Sequence, residues 1–273
     1  MIPRGKKVAA AWFLVFAALL AVAVSGRAES ARPLPFRMGE SMTYRVYWGV
    51  IPVGSSVITS RWVVADGRTN IAIQARTRTN KVLEQIYPVD DVIESVIDPD
   101  TFLPLRFRKL ISEGRYRADE TTVFDYQAGK AVWSSPLKNR TNEFVIKPDT
   151  RDLISFMYSM RTNRFEAGKR THYQVMADEK IYDLYVNADK FETLKMDAFG
   201  AVRSLKMEPE AAFGGLFVRK GRMWLWVSDD ERRLVTKIVA QVPVANIMLE
   251  LDDVNGPGDD FWIKKNRNHR EKK

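Results

Sequence analysis

The chain has no cysteine and only two histidines, His172 and His269, among its 273 residues. The lack of cysteine excludes a disulfide framework, a thiolate metal site and a lipid-attachment cysteine. The two histidines form no His-x-x-x-His pair, so we expect no zinc or copper site and no other cofactor. A Ser-His-Asp triad would depend on His172, and no Gly-x-Ser-x-Gly motif accompanies it. These absences favour a protein that is not an enzyme.

Long apolar runs are also scarce, and the clearest one lies at the start of the chain. Residues 8–24 are uncharged and apolar, basic residues precede them, and Gly26-Arg27-Ala28 follows them. This layout predicts a secretory signal peptide over residues 1–28 that is cleaved before Glu29, and hence a periplasmic protein. The alternative is an uncleaved membrane anchor through residues 8–24, which is near the lower length limit for a span.

An excess of charge is missing from the body of the chain, although the formal net charge is +9. Residues 29–263 contain 33 basic and 33 acidic side chains, so we expect no nucleic-acid partner. The excess lies at the two ends, including KKNRNHREKK over residues 264–273. We predict that this basic tail is disordered, with weak attraction to anionic lipid headgroups as its alternative role.

Alternation of apolar and polar residues dominates between these ends and predicts one β-rich domain over residues 29–263. In SMTYRVYWG, Met42, Tyr44, Val46 and Trp48 alternate with polar or smaller neighbours, which is typical of a half-buried strand. Gly49, Pro52 and Gly54 predict a bend after it. Further strands are predicted near residues 91–97, 104–111, 115–126 and 130–134, and again after Gly168 in THYQVMA, KIYDLYVNA, FETLKMDAF and AVRSLKMEP.

One segment has helical spacing instead. In residues 152–161, Leu153, Phe156, Met157 and Met160 recur at i, i+3, i+4 and i+7. Thr150 or Asp152 could cap its start, and Arg161 would complement the dipole at its end. Together the patterns predict an all-β, mainly antiparallel fold: a curved sheet or incomplete β-barrel with one covering α-helix.

The most charged stretch, MWLWVSDDERRLVTKIVAQV over residues 223–242, has two readings. Residues 228–231 could be catalytic carboxylates, or they could be a polar bend between two strands. Asp and Ser suit a bend, and Arg232 and Arg233 neutralise the acids locally, so we favour the bend. Residues 252–260, which are acidic and contain glycine, are read as a loop after the last strand; the alternative is a weak calcium site.

Aromatic residues are abundant, with 7 Trp, 9 Tyr and 14 Phe. They are commonly β-sheet core, but they could also converge on a concave apolar surface that binds an apolar ligand. The candidate ligand-binding residues on the strands and the helix are Tyr44, Trp48, Trp62, Trp224, Trp226, Phe156, Met157 and Met160.

Three stretches resemble a known family. FRMGESMTYRVYWGVIPVGSSVI (36–58), DLISFMYSMR (152–161) and LWVSDDERRLVTKI (225–238) look like the signature blocks of the bacterial envelope family called domain of unknown function 3108. Val235 stands where this pattern leads us to expect proline. The resemblance implies no activity and no site residues. Its layout is similar to the open half-barrels of periplasmic lipoprotein carriers of the LolA/LolB type, which is an analogy of fold only.

Three functions are consistent with the sequence. The leading hypothesis is an exported, non-enzymatic protein that binds a lipid-like ligand, or an apolar segment of an envelope partner, on a concave aromatic face. The alternative is a protein–protein interaction scaffold with a filled core. The third is a glycan hydrolase that uses separated carboxylates such as Glu94 and Asp183.

Overall fold

The computed structural model describes residues 34–211, 222–241 and 246–256. The predicted signal peptide, the basic tail with His269, and residues 257–260 of the predicted last loop lie outside the described residues. No helix in the described part of the chain combines the length and the apolar character needed to cross a membrane.

Alternating sequence produces fourteen strands, and the predicted segments after Asp90 are found almost where expected. The strands are β1 (Ser41–Trp48), β2 (Ile51–Ala65), β3 (Arg68–Thr79), β4 (Asp90–Ile97), β5 (Pro104–Glu113), β6 (Tyr116–Asp125), β7 (Lys130–Ser135), β8 (Arg140–Val145), β9 (Arg170–Ala177), β10 (Lys180–Met196), β11 (Gly200–Ala211), β12 (Met223–Ser228), β13 (Val235–Gln241) and β14 (Asn246–Asn255).

All fourteen strands form one antiparallel sheet. Its order is β8-β7-β6-β5-β4-β3-β2-β1-β14-β13-β12-β11-β10-β9. The first strand pairs with β14, so the two ends of the domain meet in the middle of the sheet. The edge strands β8 and β9 do not pair with each other, and the sheet is not closed into a barrel. The predicted all-β, antiparallel, incompletely closed fold is therefore confirmed.

Three local expectations are wrong, and one strand was not predicted. The bend after Trp48 is limited to Gly49 and Val50, because β2 already begins at Ile51. Gly54 lies inside β2, where an added Cβ atom would clash with the carbonyl oxygen of Arg78. The two strands predicted over KIYDLYVNA and FETLKMDAF are one strand, β10, whose pairing shifts between Ala188 and Phe191. In addition, the expected loop at 252–260 is still strand through Asn255, and β8 had no clear alternation.

The predicted helix is present as α1 (Leu153–Met160). Asp152 caps it: its side chain accepts from the backbone N–H of Ser155 at 2.7 Å, and the Ser155 hydroxyl accepts from the Asp152 N–H at 2.9 Å. This reciprocal arrangement satisfies N–H groups that have no partner within the helix. The other carboxylate oxygen of Asp152 receives a hydrogen bond from Ser95 of β4 at 2.5 Å.

The helix that covers the sheet is also a core element, because it is buried on two sides. Ile154 and Tyr158 pack into the first core cluster, whereas Phe156 and Met160 pack into the second. Residues two apart on a helix point in nearly opposite directions, so both sides of α1 are buried. The first core cluster includes Ile73, Ile97, Phe107, Trp133, Met196 and Leu251; the second includes Val175, Leu184, Leu205, Met207, Leu225 and Val227. The hollow of the sheet is therefore occupied by the protein itself.

The buried cap gives a testable dependence of stability on pH. Burial raises the pKa of Asp152 to about 6, against the hydrogen bonds from Ser95 and Ser155 that lower it. A carboxyl group whose folded pKa is raised favours the protonated form, so it destabilises the fold as pH rises from about 4 to about 6. Asp152→Asn keeps a capping oxygen and removes the ionisation.

We expect the free energy of unfolding of Asp152→Asn, relative to the wild type, to increase between about pH 4 and pH 6, by on the order of 2 kcal/mol. Denaturant titrations across this pH range measure the difference. Asp152→Ala is the control, because it loses the cap and should be less stable at every pH. If the difference in free energy of unfolding between the wild type and Asp152→Asn did not vary with pH, Asp152 would not be a buried group that ionises in this range.

Candidate functional site

A pocket of about 310 Å³ opens beside the end of α1. It lies between the segment that follows the helix, strands β10 to β12 and the turn from β12 to β13. We call it the β12 pocket. It is lined by Arg164, Phe165, Phe191, Leu205, Val227, Ser228, Asp229, Asp230, Glu231 and Arg233.

The apolar side of the β12 pocket continues the second core cluster. Leu205 and Val227 are buried members of that cluster, and Phe165 and Phe191 are half-buried rings that pack against it. The pocket thus ends on side chains that the fold already holds in place. Its apolar floor is preformed, as is usual for sites that take small ligands.

The acidic stretch forms the bend between β12 and β13, as predicted. One carboxylate oxygen of Asp230 accepts from the Ser228 hydroxyl at 2.9 Å and from the N–H groups of Arg232 and Arg233 at 3.0 Å each. The hydroxyl of Ser228 in turn accepts from the N–H of Leu234 at 2.9 Å. These bonds fold residues 228–234 into a tight turn, in which Arg233 has a φ of 48°. The main role of this Asp230 oxygen is therefore to stabilise the backbone of the turn.

The charges at the mouth of the pocket are partly neutralised. Asp229 forms an ion pair with Arg203, whose guanidinium lies 4.0 Å from the centroid of the Phe191 ring. The second carboxylate oxygen of Asp230 is buried and has no hydrogen-bond donor among the described residues. The mouth also carries Arg164 and Glu231. It could therefore hold a polar group of either sign above the apolar floor.

A buried ion cluster fixes the helix end next to this turn. Arg161 donates to the two carboxylate oxygens of Glu40 at 2.6 and 3.2 Å, and Arg232 donates to the same carboxylate. Burial alone would raise the pKa of Glu40, but the charges and hydrogen bonds of both arginines outweigh it and hold that pKa below its ordinary value. Arg161 was expected only to complement the helix dipole, and its partner Glu40, 121 positions away, carries no signal in the sequence that links the two.

Four of the predicted ligand-binding residues belong to the core. Tyr44, Phe156 and Met160 are buried, and Met157 is half-buried against the second core cluster. The hydroxyl of Tyr44 donates to the carbonyl of Val235 at 2.9 Å, and burial raises its pKa. These side chains contact other parts of the protein and do not line an open hollow.

Trp224 and Trp226 belong to neither core cluster, although Trp226 is itself buried, and this corrects the expected convergence. Leu225 and Val227 of the same strand pack into the second core cluster, so alternation turns both tryptophans to the other face. The indole N–H of Trp224 donates to Glu208 at 3.2 Å, and that of Trp226 donates to Glu192 at 2.8 Å. Glutamate and lysine side chains cover the two rings on this face, so the strand is apolar on both sides in sequence.

Trp48 and Trp62 are also separated. Trp48 pairs with Ile51 at the start of β2, whereas Trp62 lies near the other end of that strand and pairs with Ile71. At about 3.3 Å per residue, the eleven positions between Ile51 and Trp62 correspond to roughly 36 Å. Both rings are about half exposed. The four strand tryptophans therefore do not form one surface.

The carboxylates named for the hydrolase hypothesis are held by different partners. Glu94 of β4 forms ion pairs with Arg61 at 2.8 Å and Arg106 at 3.6 Å. Asp183 of β10 contacts His172 at 3.0 Å and Lys147 at 3.4 Å. The hydrogen bond with His172 and the charge of Lys147 lower the pKa of Asp183. A lowered pKa does not suit the general acid of a glycosidase.

Within the described ranges, no three His, Asp or Glu side chains are grouped so that they could hold a metal ion.

The β12 pocket could not be predicted from the sequence. Its lining residues Arg164, Phe165 and Phe191 do not recur at a spacing that predicts a shared site. Phe165 follows the helix and Phe191 follows the bulge of β10, so only the folded sheet brings them together.

Comparison with known proteins gives a family and a fold. The profile of a family described as "Protein of unknown function (DUF3108)" matches residues 43–252. A crystal structure of a β-barrel-like protein of domain of unknown function DUF1849 from Brucella abortus superposes with a TM-score of 0.54. Sequence identity is 11%, and the alignment covers 82% of this chain and 100% of that chain. At this identity the likeness supports the fold alone. The chain matches none of the curated proteins.

Proposed function

The chain belongs to the DUF3108 family, and from this premise we propose that it is a non-enzymatic binding protein of the bacterial cell envelope. Its ligand, in this proposal, places one apolar group in the β12 pocket and a polar group at the charged mouth. The ligand is either a single-chain amphiphile or an apolar segment of an envelope partner.

The β12 pocket carries this proposal because it joins an apolar floor to an open, charged mouth. Its volume of about 310 Å³ is at the lower end of the range of about 300–1,000 Å³ that ligand pockets occupy. A pocket of that size takes one acyl chain or a few apolar side chains. Burial of apolar surface, at roughly 25 cal/mol per Å², supplies the binding energy without any bond being made.

The envelope location rests on the sequence. The basic start, the apolar run over residues 8–24 and the small residues before Glu29 are the parts of an export signal. In the oxidising periplasm a chain without cysteine avoids unwanted disulfides. We therefore place the binding function outside the cytoplasm.

The test combines recovery of a natural ligand with a binding assay. The protein is purified from the periplasm, extracted with solvent and analysed by mass spectrometry, and its effect on the fluorescence of anilinonaphthalene sulfonate is measured. We expect a co-purified amphiphile and saturable dye binding. Phe165→Ser should weaken dye binding about tenfold, because about 1.4 kcal/mol of lost ring contact corresponds to that factor.

Phe144→Ser is the matched control, since Phe144 is also a half-buried phenylalanine but lies in the edge strand β8 and packs against the first core cluster. It should leave dye affinity within twofold of the wild type. Two results would refute the proposed site. One is a protein that yields no extractable ligand and does not increase the fluorescence of the dye. The other is an equal loss of dye affinity in both variants.

The interaction scaffold is the second candidate, and the filled hollow favours it. Helix α1 is buried on both sides by the two core clusters, so the interior leaves little room for a ligand. A scaffold would be purified without a ligand and would not increase the fluorescence of the dye. In intact cells it would crosslink to one defined envelope protein. The same purification therefore separates the two candidates.

A further inference from the structure

Large apolar side chains are exposed together at the end of the sheet opposite the β12–β13 turn. We call this group the apolar rim. It comprises Trp48, Val50 and Ile51 at the β1–β2 turn, Val82, Ile86 and Tyr87 between β3 and β4, and Tyr116 at the start of β6. Large exposed apolar patches are uncommon on monomeric proteins and often mark interaction sites.

Hydrogen bonds hold the tips of the rim in fixed positions. The side chain of Asn80 donates to the carbonyl of Pro52 at 2.8 Å, and its backbone N–H donates to Val53 at 2.9 Å. The side-chain oxygen of Asn80 also accepts from the N–H of Val82 at 3.1 Å. The rim is therefore a preformed surface, and it loses little conformational entropy when it binds.

The β5–β6 turn is joined to this arrangement through Gly114. Its N–H donates to the carbonyl of Pro88 at 2.8 Å, and the Tyr87 ring lies where a side chain at this position would begin. Gly114 also has a φ of +53°, a backbone conformation that favours glycine. Tyr87 and Tyr116 are thereby placed at neighbouring turns.

Exposure within the rim follows a gradient that fits a lipid surface. The aliphatic residues Val50, Ile51, Val82 and Ile86 are 57% to 91% exposed, whereas the three aromatic rings are 48% to 53% exposed. In proteins that meet a bilayer, aliphatic side chains reach furthest in, and Trp and Tyr lie at the level of the headgroups. Projecting turns also suit a deformable bilayer better than they suit a flat protein surface.

Charges beside the rim are compatible with anionic headgroups. Lys81, Arg115 and Arg117 are exposed next to the apolar turns, and Glu84 and Glu113 are acids beside them. Asp90 and Asp91 at the start of β4 are matched in charge by Arg76 and Arg78, both of which pair with Asp90. Within the described part of the chain, Lys81 and Arg115 make no ion pair, so both are available to phosphate groups. The excess of one positive charge is small, and apolar insertion must supply most of the binding.

We propose that the apolar rim is a membrane-docking surface, which inserts Val50, Ile51, Val82 and Ile86 into a lipid bilayer and keeps the three aromatic rings at the headgroup level. The partner is the lipid bilayer itself. This inference does not depend on the β12 pocket, because the rim and the pocket lie at opposite ends of the strands.

The test is co-sedimentation with phosphatidylcholine vesicles and with vesicles that also contain phosphatidylglycerol. The chain from Glu29 onward is used, because it keeps all described residues and both core clusters but lacks the apolar run at 8–24. Phosphatidylcholine carries no net charge, so the basic tail contributes little on those vesicles. We expect binding to both, stronger with phosphatidylglycerol, and at least about tenfold weaker partitioning for Val50→Asp and for Ile86→Asp.

Val145→Asp is the matched control, because Val145 at the end of β8 is 87% exposed and Val50 is 91% exposed. It should bind vesicles as the wild type does, and circular dichroism melts of the variants should agree with that of the wild type. Absence of vesicle binding, or binding that neither rim variant weakens, overturns the proposal. A third outcome would also overturn it: vesicles capture no protein, and analytical ultracentrifugation shows a dimer that Val50→Asp dissociates. The rim would then bind a second copy of this chain.

Discussion

Glu40→Gln is expected to lower the free energy of unfolding by about 3–5 kcal/mol, the usual cost of removing one partner from a buried ion pair. The substitution leaves Arg161 buried with its positive charge uncompensated, while Glu40 and Arg161 are both at most 3% exposed. At about 2–4 °C per kcal/mol for a domain of this size, the melting temperature should fall by roughly 6–20 °C. Denaturant and thermal unfolding measure both quantities.

The pH dependence of this loss has a definite sign. Because the pKa of folded Glu40 lies below its ordinary value, its stabilising effect is fully present above the unfolded pKa and disappears as the pH falls through the folded pKa. The difference in free energy of unfolding between the wild type and Glu40→Gln should therefore be large at neutral pH and become smaller in acid.

Asp252→Asn provides the control for the ion cluster. Asp252 pairs with Arg45 at 2.8 Å, but both side chains are partly exposed, and such pairs contribute at most about 1 kcal/mol. If Glu40→Gln cost no more than Asp252→Asn, the cluster would not be what holds the end of α1 against the β12–β13 turn.

Met160→Ala should lower the free energy of unfolding by about 2–5 kcal/mol, because it opens a cavity in the second core cluster. Met160 is 1% exposed and packs on the opposite side of α1 from Ile154 and Tyr158. Unfolding should remain a single cooperative transition, since the helix is part of the core.

Met157→Ala on the same helix is the comparison. Met157 is only half-buried, so its truncation should cost clearly less than that of Met160. Equal, small effects for both residues, or a separate early transition for the helix, would show that α1 is a detachable lid over a ligand space.

Periodicity was enough to predict most of the fold. Strands such as β4 to β7 alternate and are bounded by turn residues, and α1 has apolar residues at helical spacing with Asp152 before it. Strand β8 was not predicted because RTNEFV begins with four polar residues and shows no alternation before Phe144 and Val145. The long strand β10 appeared as two strands because its bulge moves Phe191 out of step with Ala188.

The candidate site was harder to predict because sidedness depends on partners far away in sequence. The pattern of β12 shows that Trp224 and Trp226 share one face, but it does not tell which face meets the core. Glu192 and Glu208 on β10 and β11 decide that by accepting hydrogen bonds from the two indoles. Phe165 and Phe191 likewise come together only through the packing of the post-helix segment against β10.

The most direct test of the binding function is methyl NMR of the chain from Glu29 onward, with labelled Ile, Leu and Val, during titration with lauric acid. The β12 pocket predicts saturable shifts of the Val227 and Leu205 methyl groups and unchanged signals from Ile73 and Ile97 in the first core cluster. Shifts centred on Ile73 and Ile97 would place the ligand in the hollow of the sheet, and a titration without saturable shifts would show that the pocket binds no such ligand.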